Sequence, residues 1–382
     1  MGLKIQLMDI IKRATSFDKK MGIIKNGAEN LYSEKIERYI NNSVTAKSAS
    51  NIMASYITGQ GFVNSNSFLV NEKTTLFEFS TKFSKSIAKQ RGAFIHVNYN
   101  LHHEITSFDL LPYTHCRLGK KDSNKYNGKI VVYDNWNKEN GKIVPKDFNI
   151  VDVFNADKKV IENQIKNAGG IKKYKGQILF VNLDSEYNYP LSSIDSVQYD
   201  CDSESQSSLF KNKSLRKGFF GKTVVVTKPL IGSREHYDND IDYASAQSER
   251  TAFKDTIDQF IGAENTGGVL HVEMEHDGDN LSDAIKFENI GSDINDKLFE
   301  YTELSTFKNI LMAFNNIPIG LVRSDNALFG NSGESLKEMQ RVYRISTTQE
   351  RMILEQTIQM LMRNHKKKIE VELIKEIENG IN

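Results

Sequence analysis

Residues 93–118 read AFIHVNYNLHHEITSFDLLPYTHCRL, and no other stretch says more about the fold. Residues 93–101 alternate apolar and polar in the two-residue rhythm of a strand, and turn-forming residues separate them from a second run at 105–111. Further runs at 129–134 and 149–154 extend a β-rich block, and 177–183 (QILFVNL) reads as a continuous apolar strand.

Helical spacing surrounds this block. Residues 3–13 read as a short helix. Residues 32–60 carry Ile36, Tyr39, Ile40, Ala46, Ile52, Met53, Tyr56 and Ile57 before a break at Gly59-Gln60-Gly61. Leu76 to Arg91 places Phe79, Phe83 and Ile87 on one helix face. Beyond Tyr189-Pro190 a polar stretch, 191–217, begins with acids and ends with Lys211, Lys213, Arg216 and Lys217, a polarity that suits a helix dipole. As one helix it would extend about 40 Å. Residues 222–228 read as a short strand, 232–243 as a polar loop, 246–261 as a helix and 268–274 as a strand. A long helix fits 292–316, stopped by Pro318 and Gly320, and another fits Gly333 to Met362.

The chain has 382 residues, 39% hydrophobic and 26% charged, enough to bury a core and to form more than one region. Its net charge of +1 announces neither a nucleic-acid nor a membrane partner, and a protein past which DNA slides should not grip phosphate tightly. Two cysteines, Cys116 and Cys201, read as reduced thiols. The apolar runs are too short for a bilayer span or a secretory signal, so the expected site of action is where the protein is made, or outside after lysis.

Chemical motifs are weak. Gly218-Phe219-Phe220-Gly221-Lys222-Thr223 lacks the first glycine of a phosphate loop, which would fall at Arg216. His96, His102, His103 and His115 lie near Glu104 and Cys116 without metal-ligand spacing, and His102-His103 on a strand would face opposite ways. Between Glu264 and Leu304, eleven acids face two bases, but they follow no compact metal-binding pattern. A solvated acidic face is the plain reading, a metal-dependent nuclease the sharper alternative. No catalytic residue, metal or cofactor is assigned.

The order of the pieces resembles the HK97-like portal family of tailed bacteriophages over roughly 45–362. The carrying residues are Ser50 to Phe62, the 93–118 stretch with Leu111-Pro112 before Arg117, and Asn265-Thr266-Gly267-Gly268. The most specific are Ala313-Phe314-Asn315-Asn316-Ile317-Pro318 followed by Gly330-Asn331-Ser332-Gly333-Glu334-Ser335. The chain departs from the family in having Ile317 and Ile319 where a valine and a second proline are usual, and in having few residues after Met362 for a crown.

The resemblance implies an α+β portal fold: an α/β wing (1–190), a first stem helix (191–218), a β-containing clip (219–247) and a second stem helix (248–263). It continues with the rest of the wing (264–319), a tunnel loop (320–333) and a C-terminal helix with a short crown (334–382). It implies a non-enzymatic ring, a dodecamer at one capsid vertex of the virion, assembled in the host bacterial cytoplasm. Double-stranded DNA would pass without sequence readout during packaging and ejection. Partners would be the large terminase subunit, the major capsid protein and a head–tail adaptor, with no membrane. The tunnel loop would present Arg323, Ser324, Asp325, Asn326, Leu328 and Phe329 to DNA. The clip would bind partners through Thr223, Val224, Val225, Val226, Arg234 and Tyr237, with the strand edge at 223–227 free to pair with an adjacent subunit. Another kind of capsid or connector protein is the nearest alternative.

Overall fold

The computed structural model describes residues 17–18, 21–121, 125–137, 143–184, 186–217, 222–227, 231–260, 269–273, 285–290, 296–322 and 333–367. The elements in order are β1 (Phe17–Asp18), β2 (Ile23–Ile24), α1 (Tyr32–Asn42), α2 (Val44–Thr58), α3 (Leu76–Gln90), β3 (Gly92–Tyr99), β4 (Ile105–Leu111), β5 (Cys116–Leu118) and β6 (Lys129–Val132). They continue with β7 (Asn149–Val153), α4 (Lys158–Asn167), β8 (Gln177–Asn182), α5 (Gln198–Lys217), β9 (Lys222–Thr227), α6 (Asp240–Phe260), β10 (Val269–Glu273), β11 (Ile285–Ile290), α7 (Asp296–Ala313), α8 (Gly333–Ser346) and α9 (Thr348–Arg363). The class is α+β, as the sequence implies. The expected helix at 3–13 lies outside the described residues. The chain divides into two units, Met1–Asp202 with Ser305–Asn382, and Ser203–Leu304.

The first unit is built on a six-stranded mixed sheet, ordered β4-β3-β8-β7-β6-β5. All neighbours are antiparallel except β7 and β8, which run parallel. A parallel pair needs a crossover, and α4 supplies it. The sequence reading passes over this helix because its apolar residues are few; Ile161 is fully buried, and Asp157 caps the start by accepting the Lys159 N–H.

Helices α1, α2 and α3 cover the sheet. The stretch read as 32–60 is two helices because Ser43 adopts an extended conformation, ends α1, and accepts the Ala46 N–H as the N-cap of α2. Thr75 and Glu78 close a reciprocal capping box on α3. Phe79, Phe83 and Ile87 are buried as their spacing predicts, and Phe79 meets Phe108 of β4 edge to face, with centroids 4.9 Å apart. The same core contains Phe307, Ile310 and Leu311 of α7, Phe314 just after it, Tyr343 of α8, and Leu354, Ile358 and Leu361 of α9.

Arg117 on β5 is fully buried. Its Nε donates to Asn30 Oδ1 (2.7 Å), Nη1 to the Thr114 and Cys116 carbonyls (2.6 and 3.0 Å), and Nη2 to the Asn30 carbonyl (2.7 Å) and Glu34 Oε1 (2.8 Å). Trp136 lies against the guanidinium, 5.1 Å from ring centroid to Cζ. A planar five-donor group is the one side chain that can satisfy so many converging acceptors.

Several expected helix limits shift. Residues 191–197 are not α-helical. Ser192 is stitched to α3 and α1 through the Lys89 carbonyl and the Tyr32 hydroxyl, and a 3-10 turn spans Asp195–Val197. The α-helix therefore starts at Gln198 and is about 30 Å long. The helix expected over Gly333 to Met362 breaks at Thr347, where Ser346, Thr347 and Thr348 turn their hydroxyls onto the carbonyls of Val342, Tyr343 and Arg344. His102 and His103 sit in the turn between β3 and β4, not on a strand, and His103 has φ 62°.

The second unit contains a three-stranded sheet ordered β10-β9-β11, with β9 parallel to β10 and antiparallel to β11. The expectation of a free edge at 223–227 is corrected: β9 is the central strand, so β10 and β11 take both of its edges within this chain. The sequence reading sets 264–319 with the wing, whereas β10 and β11 of that range pair with the strand of 219–247. α6 begins at Asp240, inside the stretch read as a loop, because Asn239 accepts the Asp242 N–H and acids fill the first turn.

Candidate functional site

Of the residues expected to carry function, Arg323, Ser324, Asp325, Asn326, Leu328 and Phe329 lie outside the described residues. Thr223, Val224, Val225 and Val226 have described backbone only, on β9. Arg234 and Tyr237 are described in full, and the fold brings them together.

Their setting is a short turn ahead of α6. A 3-10 turn at Arg234–His236 is closed by the Tyr237 N–H on the Arg234 carbonyl. The Arg234 guanidinium then reaches forward. Its Nη1 donates to the Tyr237 carbonyl (3.0 Å), and Nε and Nη2 both donate to Asp240 Oδ1, the first at 2.9 Å. Arg234 also lies 5.7 Å from the centroid of the Tyr243 ring. Tyr243 packs edge to face on Tyr237 at 5.4 Å. The Gly232 N–H donates to the Tyr237 hydroxyl. Asp240 and Tyr243 are the members that the sequence reading misses; the signal is an asparagine followed by Asp240-Ile241-Asp242, a helix start hidden in a polar stretch.

This cluster is exposed. The Arg234 side chain is 44% accessible and that of Asp240 91%, so the ion pair is screened by solvent and orders the turn weakly. Ile241 beside it is 80% exposed. An arginine against the ring of Tyr243, which itself packs on Tyr237, next to an uncovered isoleucine, is a composition typical of protein-binding surfaces.

The other sequence candidates disperse. His96 bonds the Lys175 carbonyl, and His115 sits in a 3-10 turn. Cys116 is buried, its thiol pushed up to about 12 by burial, and neither cysteine forms a disulfide. Among the described residues no group of three His, Cys, Asp or Glu could hold a metal ion. Glu303, from the acidic stretch, pairs with Lys211. A cleft of about 770 Å³ in the first unit is lined by residues including Tyr32, Glu34, Lys35, Arg38, Asp134 and Trp136, of mixed charge. Among the described residues no helix is long and apolar enough to cross a membrane.

No protein-family model and no curated protein matches the chain. Solved structures do. A chain from the neck of an empty gene transfer agent (GTA) particle, computed with C6 symmetry, is 12% identical and aligns over 91% of this chain and 85% of its own, with a TM-score of 0.52. A chain from the native GTA neck, computed with C12 symmetry, is 12% identical over 89% of this chain and 84% of its own, with a TM-score of 0.51. The fold is that of a particle-neck chain. An HK97-family phage portal protein from Corynebacterium diphtheriae aligns over 78% of this chain and 80% of its own at 8% identity and a TM-score of 0.36. The α+β class read from the sequence agrees with the neck matches.

Proposed function

We propose that this chain is a phage portal subunit, one copy of a ring at a capsid vertex through which double-stranded DNA enters and leaves the particle. The observation that carries the reading is the shared fold with GTA neck chains over nine-tenths of this chain, in necks computed with C12 and C6 symmetry. The exposed character of α6 supports it: residues 240–249 are almost all open to solvent, with Ile241 uncovered, as a helix awaiting neighbours would be. A twelve-copy ring, virion location, assembly in the bacterial cytoplasm and the absence of enzymatic activity belong to this proposal.

In this reading residues 219–247 form the clip, and the Arg234–Tyr237–Asp240–Tyr243 cluster is its docking surface for the large terminase subunit and later a head–tail adaptor. Because β9 is internally paired, a partner strand would add at β10 or β11 instead. Residues 320–333 form the tunnel loop, whose Arg323, Asp325, Leu328 and Phe329 touch passing DNA without reading bases. The major capsid protein would surround the ring.

Electron microscopy of the purified full chain tests the reading. Class averages down the particle axis should show a ring with an open centre. A connector of another kind would assemble without a pore, and a monomer at high concentration would refute both. Deleting residues 323–329 should leave rings intact and abolish packaging; loss of rings in that variant would make the loop a packing element instead.

A further inference from the structure

The chain is nearly neutral, yet one module of the first unit is not. Residues 157–175 hold six lysines against two acids, a local balance of +4 where the whole chain carries +1. All six, Lys158, Lys159, Lys166, Lys172, Lys173 and Lys175, are exposed. The module is α4 and the turn after it, folded back on itself. The Gly170 N–H bonds the Ile165 carbonyl, and the Tyr174 hydroxyl donates to Gln164. Gly169 (φ 80°) lets the chain reverse closely enough that the Lys173 side chain lies beside it. Lysines from both ends of the sequence segment thus share a patch about the length of α4, roughly 15 Å.

Two features set this patch apart from an ordinary solvated face. Its acids are engaged inside the module: Asp157 caps α4, and Glu162 pairs with Lys166 at 2.9 Å. Lys158 and Lys159 occupy the first turn of α4, the positive end of the helix dipole, where acids are favoured and none is present. The sequence therefore places cations where the fold itself disfavours them, a local conflict of the kind found at functional surfaces.

We infer that the α4 module binds the phosphate backbone of duplex DNA without sequence readout. The chemistry favours a polyanion over a folded protein. Apart from Asp157 and Glu162, both engaged within the module, the exposed side chains are lysine and asparagine, and α4 turns Ile161 inward, so no aromatic or aliphatic anchor faces out, as a protein interface would need. Lysine acts as a mobile point charge that tracks phosphates rather than fixing a planar partner. About 15 Å of duplex axis carries roughly nine negative charges, a density that the patch matches on the facing side. The choice of DNA rests on the portal reading above, which supplies duplex DNA as the polyanion at hand.

The test is fluorescence anisotropy of a labelled mixed-sequence duplex of about 30 base pairs with the full chain, between about 50 and 200 mM salt. Three proteins are compared: wild type, a variant with Lys158, Lys159, Lys172 and Lys173 changed to Gln, and a control with Lys47→Gln and Lys82→Gln on α2 and α3. The first variant should bind at least about tenfold more weakly, with a salt slope shallower by about 0.9 for each lysine that contacts phosphate. The control should match wild type. Equal slopes in all three would overturn the inference, as would poly-glutamate displacing the duplex at equal charge, which would make the partner an acidic protein. Electron microscopy of the same variant separates the two proposals: rings with lost DNA affinity support both, whereas rings with unchanged affinity refute only this one.

Discussion

Replacing Arg117 by alanine should cost the first unit about 3–4 kcal/mol. The side chain is fully buried and makes five hydrogen bonds, two to Asn30, one each to the carbonyls of Thr114 and Cys116, and one to Glu34. Breaking a buried ion pair by removing one partner costs about 3–5 kcal/mol. The Glu34 side chain is 31% exposed, so its carboxylate regains water and the lower half of that range applies. The cation–ring contact with Trp136, roughly 0.5–1 kcal/mol, is contained in that total. The assay is built in, because Trp136 is the single tryptophan of the chain and is 3% exposed. Its fluorescence reports this site alone. With a urea slope of about 2 kcal/mol/M, the midpoint should fall by about 1.5–2 M. Arg117→Lys should fall by about half as much, since an ammonium cannot span all five acceptors. A Trp136 midpoint within about 0.3 M of wild type in Arg117→Ala would refute the view that this arginine organises the region.

Two further outcomes follow from the fold. His365 is buried between Phe68 and Phe108, beside Lys366 and Lys367, and burial pushes its pKa below the ordinary 6.5. The unfolded state then binds more protons than the folded one, so the stability contributed by neutral His365 is complete above about pH 6.5 and falls as pH drops below it. Amide protection factors at Ile105 and Lys366, which are tied across β4 and the end of α9, should fall at pH 5 relative to pH 7.5 once the intrinsic rates are divided out, and His365→Leu should remove that dependence. Val225→Pro, at the middle of the central strand β9, should unfold the three-stranded sheet and lower protease resistance between 222 and 290, leaving Trp136 fluorescence unchanged. A still-protected sheet in that variant would argue against the strand order.

What the sequence makes legible is local. The face formed by Phe79, Phe83 and Ile87 reads off four-residue spacing, and the strands at 93–99 and 177–182 read off their apolar runs. What it hides depends on partners distant in sequence. Arg117 finds Asn30 and Glu34 more than eighty residues away, so nothing near 117 announces its burial. β9 is recognisable as a strand, but its central place depends on β11, whose apolar Ile285, Phe287 and Ile290 lie within an acidic stretch. α4 has only three aliphatic residues, Val160, Ile161 and Ile165, too few for periodicity to register, and only the parallel pairing of β7 with β8 demands it. In the candidate docking surface, Arg234 and Tyr237 are foreseen, while Asp240 and Tyr243 depend on a helix beginning six residues earlier than spacing suggests.

The core of the first unit joins residues from α1–α5 to residues of α7–α9, with the 102 residues of Ser203–Leu304 inserted between. On a ribosome adding about 5–20 residues each second, the stretch from Cys201 to Met362 takes roughly 8–30 s to emerge. Throughout that interval the faces of α2 and α3 that await Phe314 and Leu354 stand open to water. Newly made chains therefore pass through a sticky adolescence, and expression at low temperature with abundant chaperone should raise the soluble yield more than any change of buffer.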